Sequence, residues 1–331
     1  MNILLTGATG FVGKSLYREL IVQKYNLTCV FRKWHKKERQ LSEFGTGNRY
    51  FVDDVDGNTP WSACLKGIDQ VVHLAGLAHT VNGDDPDLHR RFFSVNHEGT
   101  RNLAAQAAQH GVKRFVFMSS IMVNGKTSSA GPFCETDRAN PQNAYAAAKY
   151  EAEKSLEKIG ADTGMEVVIL RPPLVYGSHV KANFLKLLDL MYSGVPLPFG
   201  AVSNKRSFVC LENLVDAVCL CLCHEKAANQ TFVVSDHQDL STTQLMQKIA
   251  AAMGRKPRLV AVPEKYMKIC LSLAGLDHMY DRLWGNLQVD ASKIQMLLGW
   301  KPRVTVDHGI MTTVQWYLST RRHKRKAKVQ V

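Results

Sequence analysis

Long hydrophobic runs are absent from this sequence. The most apolar stretches, such as 269–276, are too short or too interrupted to cross a bilayer, which argues against a membrane-spanning protein. No basic segment followed by an apolar one precedes the first strand-like run, Ile3-Leu4-Leu5, so a cytoplasmic location is the expectation. Low-complexity tracts and internal repeats are missing too, and hydrophobic residues make up 45% of the chain, which sets aside a disordered or repeat architecture. Acidic residues are scarce. Against 42 Lys and Arg stand 29 Asp and Glu, for a formal charge of +13. Six of these positives sit in the terminal run Arg321-Arg322-His323-Lys324-Arg325-Lys326-Ala327-Lys328, and the body is still basic without them. Such a body suits ligands that are polyanions. Nothing aromatic or amphipathic accompanies the terminal run, so 321–331 is expected to be a solvated, disordered basic tail, and no nucleic acid partner is expected. Weak contact of that tail with an acidic membrane surface is the alternative.

The eight cysteines are expected to be thiols rather than a disulfide framework. Cys219, Cys221 and Cys223 invite a metal reading, but they lie in a stretch that reads as a helix. Residues two apart on a helix point to different sides and cannot converge on one ion, so no metal is expected and the three are read as buried small hydrophobes.

What is present is a strand–helix alternation. Candidate strands are 2–6, 27–31, 49–52, 70–74, 114–119 and 166–170, with amphipathic helical stretches at 12–22, 95–110 and 144–159. This pattern implies an α/β fold, a doubly wound parallel sheet of the Rossmann kind, binding its ligand at the carboxyl ends of the strands. Beyond Arg171 seven prolines interrupt the regularity. The expected organisation is therefore a dinucleotide-binding domain over 1–171 and a smaller C-terminal substrate-binding lobe over 172–320. That lobe is interleaved with the last sheet strands, 231–234 among them.

The first strand runs into Thr6-Gly7-Ala8-Thr9-Gly10-Phe11-Val12-Gly13 and then a helix. Gly7 allows a tight turn, Gly10 lets a diphosphate approach the backbone, and Gly13 lets the helix pack closely. Free N–H groups at the helix start complete a phosphate site. At the end of the second strand Arg32 and Lys33 stand where an acid would bind the ribose 2′-hydroxyl of NAD. Two cations there suit a 2′-phosphate, so NADP(H) is the preferred cofactor and NAD(H) the alternative. Tyr145 and Lys149, four apart, share one helix face. A phenol with a free pKa of about 10 is a poor proton carrier near neutrality, and a neighbouring lysine cation would lower it. A serine at the end of the fifth strand, Ser119 or Ser120, would bond the reacting oxygen.

These motifs resemble the extended short-chain dehydrogenases/reductases, whose glycine signature is matched residue for residue. The resemblance covers nearly the whole chain. It implies Ser120 ahead of Ser119 as the catalytic serine, Asp54 against the adenine, Leu74-Ala75-Gly76 beneath the ribose, and Asn96 following them, with Phe11, Val12 and Pro172 also lining the cofactor. Arg171-Pro172-Pro173-Leu174-Val175-Tyr176-Gly177 is similar to a stretch of UDP-sugar 4-epimerases and 4-ketoreductases. A UDP-sugar substrate is thereby implied, with Asn183, Arg206 and Arg282 as candidate contacts, and so is a homodimer. Within that family the whole sequence is most similar to bacterial reductases of UDP-4-keto-6-deoxy-N-acetylhexosamines, which serve surface polysaccharide (O-antigen) synthesis, and the stretch from Ser119 to Gly125, with Val123-Asn124-Gly125 in place of Val-Tyr-Gly, supports that branch. Reduction at C4 is the expectation. A 4-epimerase with bound NAD is the alternative, and a non-catalytic dinucleotide sensor a third reading, which retention of Ser120, Tyr145 and Lys149 disfavours.

Overall fold

A computed structural model describes residues 1–33, 41–45, 47–78, 86–273, 275 and 277–329. Nine strands lie within them: β1 (Asn2–Thr6), β2 (Asn26–Arg32), β3 (Asn48–Val52), β4 (Gln70–His73), β5 (Arg114–Met118), β6 (Glu166–Arg171), β7 (Leu174–Tyr176), β8 (Phe208–Cys210) and β9 (Gln230–Val233). Seven form one sheet in the order β3-β2-β1-β4-β5-β6-β9, every neighbouring pair parallel. The strands expected from the sequence fall within one residue of those observed. Among the described residues beyond Arg171 only β9 joins this sheet, because β7 and β8 form a parallel pair of their own.

Strand alternation sorts side chains between two layers. Ile3 and Leu5 face a core built with Leu16 and Leu20 of the Phe11–Val22 helix and Leu214 and Val218 of the Leu211–Cys223 helix. Leu4 points the other way, into a core with Leu103 and Ala107 of the Gly99–Gln109 helix and Ala152 and Leu156 of the Ala144–Thr163 helix. The last of these helices starts where the Asn143 side chain accepts the Ala146 N–H at 2.8 Å and stops at Gly164, whose φ of 77° ends the helix in the left-handed region. A third core, around Phe184, Phe208, Leu245 and Ile310, gathers the Ala182–Ser193, Thr242–Ala252 and Val306–Val329 helices beside β7 and β8. Phe11, at the start of the first helix, packs against both this core and the sheet core, so the cofactor turn sits at their junction.

Two expectations need correction. The basic terminal run continues the Val306–Val329 helix instead of forming a separate disordered end, and the last two residues lie outside the described ones. Of the three helical cysteines, Cys219 and Cys221 are buried, with thiols pushed up to about 12 by desolvation, but Cys223 is exposed. No helix among the described residues is long and apolar enough to cross a membrane.

Candidate active site

The strand order reverses between β1 and β4, and the chain segments leaving those two strands lie against each other. Gly7 has a φ of 72°, and a Cβ on it would fall 2.6 Å from the Ala75 nitrogen. A Cβ on Gly13 would overlap the Gly7 carbonyl. The helix thus packs onto the turn itself more than onto the sheet. At Gly10 a Cβ would meet only the Gly7 oxygen, at 3.0 Å, so this side of the turn is bare backbone facing open space. Such a cradle fits the diphosphate of a dinucleotide.

A hydrogen-bond chain beneath the turn fixes these pieces together. Thr100 donates its hydroxyl hydrogen to the Asn96 carbonyl at 2.8 Å, so its oxygen accepts from Nε2–H of His73 at 3.1 Å. His73 Nδ1 then accepts from the Thr6 hydroxyl at 2.7 Å, and that oxygen accepts the Ala75 N–H at 3.2 Å. Every donor is used only if His73 is neutral. Burial and the Lys149 charge enforce this, pushing its pKa down to about 3. Asn96 is completely buried within a π-helical segment, Phe93–Glu98, that precedes the Gly99–Gln109 helix. Its amide accepts from Leu77 N–H at 2.8 Å and donates to Leu77 O at 3.0 Å, clamping the stretch after Gly76. Thr6, His73 and Thr100 escaped the sequence reading, because nothing local marks a histidine as a strut.

Tyr145 and Lys149 do share a helix face, at the end of β5. The Ser120 hydroxyl lies beside the Tyr145 phenol and accepts the Met122 N–H at 3.2 Å. Ser119 is occupied elsewhere: its hydroxyl donates to Glu153, which also receives Nε and Nη2 of Arg171 at 3.0 and 2.6 Å. That leaves Ser120 as the serine turned toward the tyrosine. Lys149 is buried, donates to the Met118 carbonyl at 2.9 Å and lies 4.5 Å from the Phe117 ring centre. Desolvation lowers its pKa to about 8, partly offset by Glu153. A Cβ on Gly76 would come 3.3 Å from its Nζ, so this cation lies directly under the Leu74–Gly76 stretch. The expected lowering of the Tyr145 pKa is not seen: burial raises it, and the neighbouring Ser120 hydroxyl is what opposes the rise.

Arg32 and Lys33 also differ from expectation. The parallel register of β2 with β3 sets Arg32 beside Val52, so the acids following β3 reach both cations. Lys33 Nζ lies 2.7 Å from Asp53, and Arg32 Nη1 lies 3.8 Å from Asp54. A 2′-phosphate would meet two carboxylates there as well as two cations. Val12 is half-buried beside Phe11, and Pro172 is buried, its carbonyl accepting Ile121 N–H at 3.1 Å.

On the lobe, Arg206 donates to the carbonyls of Gly285 and Asp281, at 2.8 and 3.3 Å, and burial lowers its pKa. It has no carboxylate partner among the described residues. Arg282 is exposed one position after Asp281, on the Asp277–Leu283 helix, and Lys126 of the loop after β5 pairs with Asp281. Arg206 and Arg282 are thus close neighbours in the fold. Asn183 is exposed in the first turn of the Ala182–Ser193 helix, with no hydrogen bond inside the described residues.

A glycine cradle at the switch point beside a tyrosine–lysine helix defines a nicotinamide-dinucleotide enzyme of the short-chain dehydrogenase/reductase kind. The profile of the NAD dependent epimerase/dehydratase family matches residues 3–235, and the chain belongs to that family. It is 42% identical over 320 residues to a UDP-glucose 4-epimerase of Vibrio cholerae, covering 96% of this chain and 95% of that protein. It is 27% identical to an Escherichia coli O157:H7 N-acetyl-α-D-glucosaminyl-diphospho-ditrans,octacis-undecaprenol 4-epimerase, over 83% of this chain and 77% of that protein. The fold is shared with UDP-glucuronic acid 4-epimerase of Bacillus cereus, solved with NAD, at a TM-score of 0.78, 20% identity and coverage of 96% and 99% of the two chains. It is also shared with UDP-glucose 4-epimerase of Thermotoga maritima, solved with UDP-glucose, at a TM-score of 0.75, 24% identity and coverage of 97% and 99%.

Proposed function

We propose that the chain is a 4-epimerase of a UDP-hexose or UDP-N-acetylhexosamine that works with retained NAD. The observation that carries the C4 chemistry is the placement of Ser120 beside the Tyr145 phenol, one helix turn from the buried cation of Lys149. In this reading Tyr145 takes the proton of the C4 hydroxyl as the carbon is oxidised and returns it when the 4-keto sugar is reduced on its other face. Ser120 holds the same oxygen through both half-reactions. Lys149, under Gly76, holds the ribose hydroxyls. When bound, the nicotinamide accepts and returns the hydride, and its oxidised ring favours the phenolate that burial alone disfavours. Arg206, a half-buried guanidinium with no carboxylate among the described residues, clamps the diphosphate, and Arg282 beside it is a second clamp. Asn183 contacts the diphosphate or uracil.

The sequence favoured a reductase on two features, and both have other accounts. Arg32 and Lys33 stand against Asp54 and Asp53. Asn124, the departure from Val-Tyr-Gly, is buried, accepts Arg171 Nη1 at 3.1 Å and donates to the Cys134 carbonyl at 2.8 Å. The Vibrio cholerae relative adds weight to the epimerase. The test is to denature the purified protein and identify what it releases, then incubate native protein with UDP-glucose or UDP-N-acetylglucosamine and no added cofactor. NAD in the supernatant and appearance of the 4-epimer are expected, with turnover lost by at least about a hundredfold in Tyr145→Phe. Protein that comes empty, prefers NADPH and consumes it with a 4-keto sugar would install the reductase instead.

A further inference from the structure

Among the described residues an exposed apolar face lies on the Glu264–Leu273 helix. Tyr266, Ile269 and Leu273 are 51, 55 and 84% exposed, and their spacing of three and four puts them in one stripe. Met267, on another side of the helix, packs into the lobe core, so the stripe is not simply the packing face turned outward. Val260, 51% exposed, belongs to the extended segment leading in, which is stitched to Leu197 by hydrogen bonds of 2.8 Å on either side.

Cations frame this stripe. Arg255, Lys256, Arg258, Lys265 and Lys268 are all exposed. The one acid in that stretch, Glu264, is bonded by the Tyr280 hydroxyl. The basic field extends further. The guanidinium of Arg255 lies 4.6 Å from the Tyr192 ring centre, and that of Arg321 lies 5.3 Å from the same ring. The start of the basic terminal run is therefore continuous with the surface that leads to the helix.

An apolar stripe alone would suit many partners. A stripe flanked by lysines and extended by arginines, on a helix that lies along the surface, matches one chemistry: apolar side chains entering acyl chains while cations meet anionic headgroups. We propose that this face docks the protein on an anionic phospholipid bilayer, with Tyr266, Ile269 and Leu273 inserted and the Arg255–Lys268 cations and the terminal helix at headgroup level. Tyr280, which bonds Glu264 and stacks on Trp284 at 5.8 Å, belongs to the same Asp277–Leu283 helix whose Asp281 carbonyl accepts from Arg206. The docked face is thereby joined to the substrate lobe.

The experiment is co-sedimentation of the full chain with vesicles of phosphatidylcholine or of phosphatidylglycerol, at low and high salt. Binding to phosphatidylglycerol alone, weakened by salt, is expected. Ile269→Ser/Leu273→Ser is expected to weaken it about tenfold or more, and Lys265→Gln/Lys268→Gln about tenfold at low salt, with nucleotide-sugar turnover in solution unchanged in both. Absence of sedimentation at low salt would overturn the proposal. So would binding that neither variant weakens, which would assign the membrane contact to the terminal run alone. A vesicle-free, concentration-dependent dimer abolished by Ile269→Ser/Leu273→Ser would also overturn it, by giving the face to a second copy.

Discussion

Replacing Lys149 by methionine should make the unliganded protein more stable and inactive. Lys149 is 4% exposed, and its pKa is pulled from 10.5 down to about 8. Holding the charged form in the fold therefore costs about 3 kcal/mol relative to a neutral side chain of the same shape. Methionine removes that cost but leaves the Met118 carbonyl without its donor, which returns about 1 kcal/mol. The net gain at pH 7 is about 2 kcal/mol, equivalent to a rise of between about 0.5 and 1 M in the urea midpoint for a chain of this size. Its pH dependence has a definite sign. The folded lysine releases its proton near pH 8, while the unfolded one keeps it until 10.5. Between these values the unfolded state binds more protons, so wild-type stability gains from rising pH and the methionine variant does not. The gap between the two proteins should be full below pH 8 and close as the pH climbs toward 10. The assay is urea unfolding after removal of bound nucleotide, at pH 7 and at pH 9.5, alongside turnover, which should fall at least about a hundredfold. A variant less stable than wild type at pH 7, or a gap that does not narrow with pH, would refute the reasoning.

Arg171→Met leaves the Glu153 carboxylate, 1% exposed, without its cation, and should cost about 3–5 kcal/mol; adding Glu153→Leu should recover most of it, read from a double-mutant cycle of unfolding free energies. Gly13→Ala drives a methyl onto backbone atoms of Gly7 and Ala8, so nucleotide retention should be lost and at least about 2 kcal/mol of stability with it, measured by nucleotide release and denaturation. Arg32→Ala and Lys33→Ala, whose cations face Asp54 and Asp53 across exposed surface, should change NAD affinity by no more than about threefold in a fluorescence titration.

Local signals made the sheet and the cofactor turn legible. Apolar runs bounded by turn residues located seven strands to within a residue, because the central strands β1, β4, β5 and β6 are buried on both faces and carry few other instructions. The Gly7–Gly13 spacing was readable for a similar reason, since its constraint acts over six residues. Long-range pairings were not readable. Arg32 and Lys33 looked like a phosphate site until the β2–β3 register brought Asp53 and Asp54 alongside, some twenty residues on. Ser119 and Ser120 are adjacent and chemically alike, and only Glu153, from a helix thirty-odd positions away, separates their roles. Arg206 finds its acceptors at Asp281 and Gly285, in a lobe whose prolines erase the periodicity that reading a sequence depends on.

The Ala144–Thr163 helix shows how the reacting groups are joined to the fold. Tyr145, Lys149 and Glu153 follow one another at four-residue steps along a single face, and burial deepens with each step. Tyr145 is half-buried where substrate must reach it, Lys149 is 4% exposed, and Glu153 is 1% exposed and paired with Arg171. The intervening alanines are more than good helix formers. Ala146, Ala148 and Ala152 have no exposed surface, so larger side chains there would disturb the packing that brings Lys149 to the Met118 carbonyl. Close approach of the helix to the sheet is thus what desolvates Lys149 and fixes it beneath Gly76. The same packing raises the Tyr145 pKa, and the Ser120 hydroxyl, reaching the outer end of the helix from the segment after β5, opposes that rise.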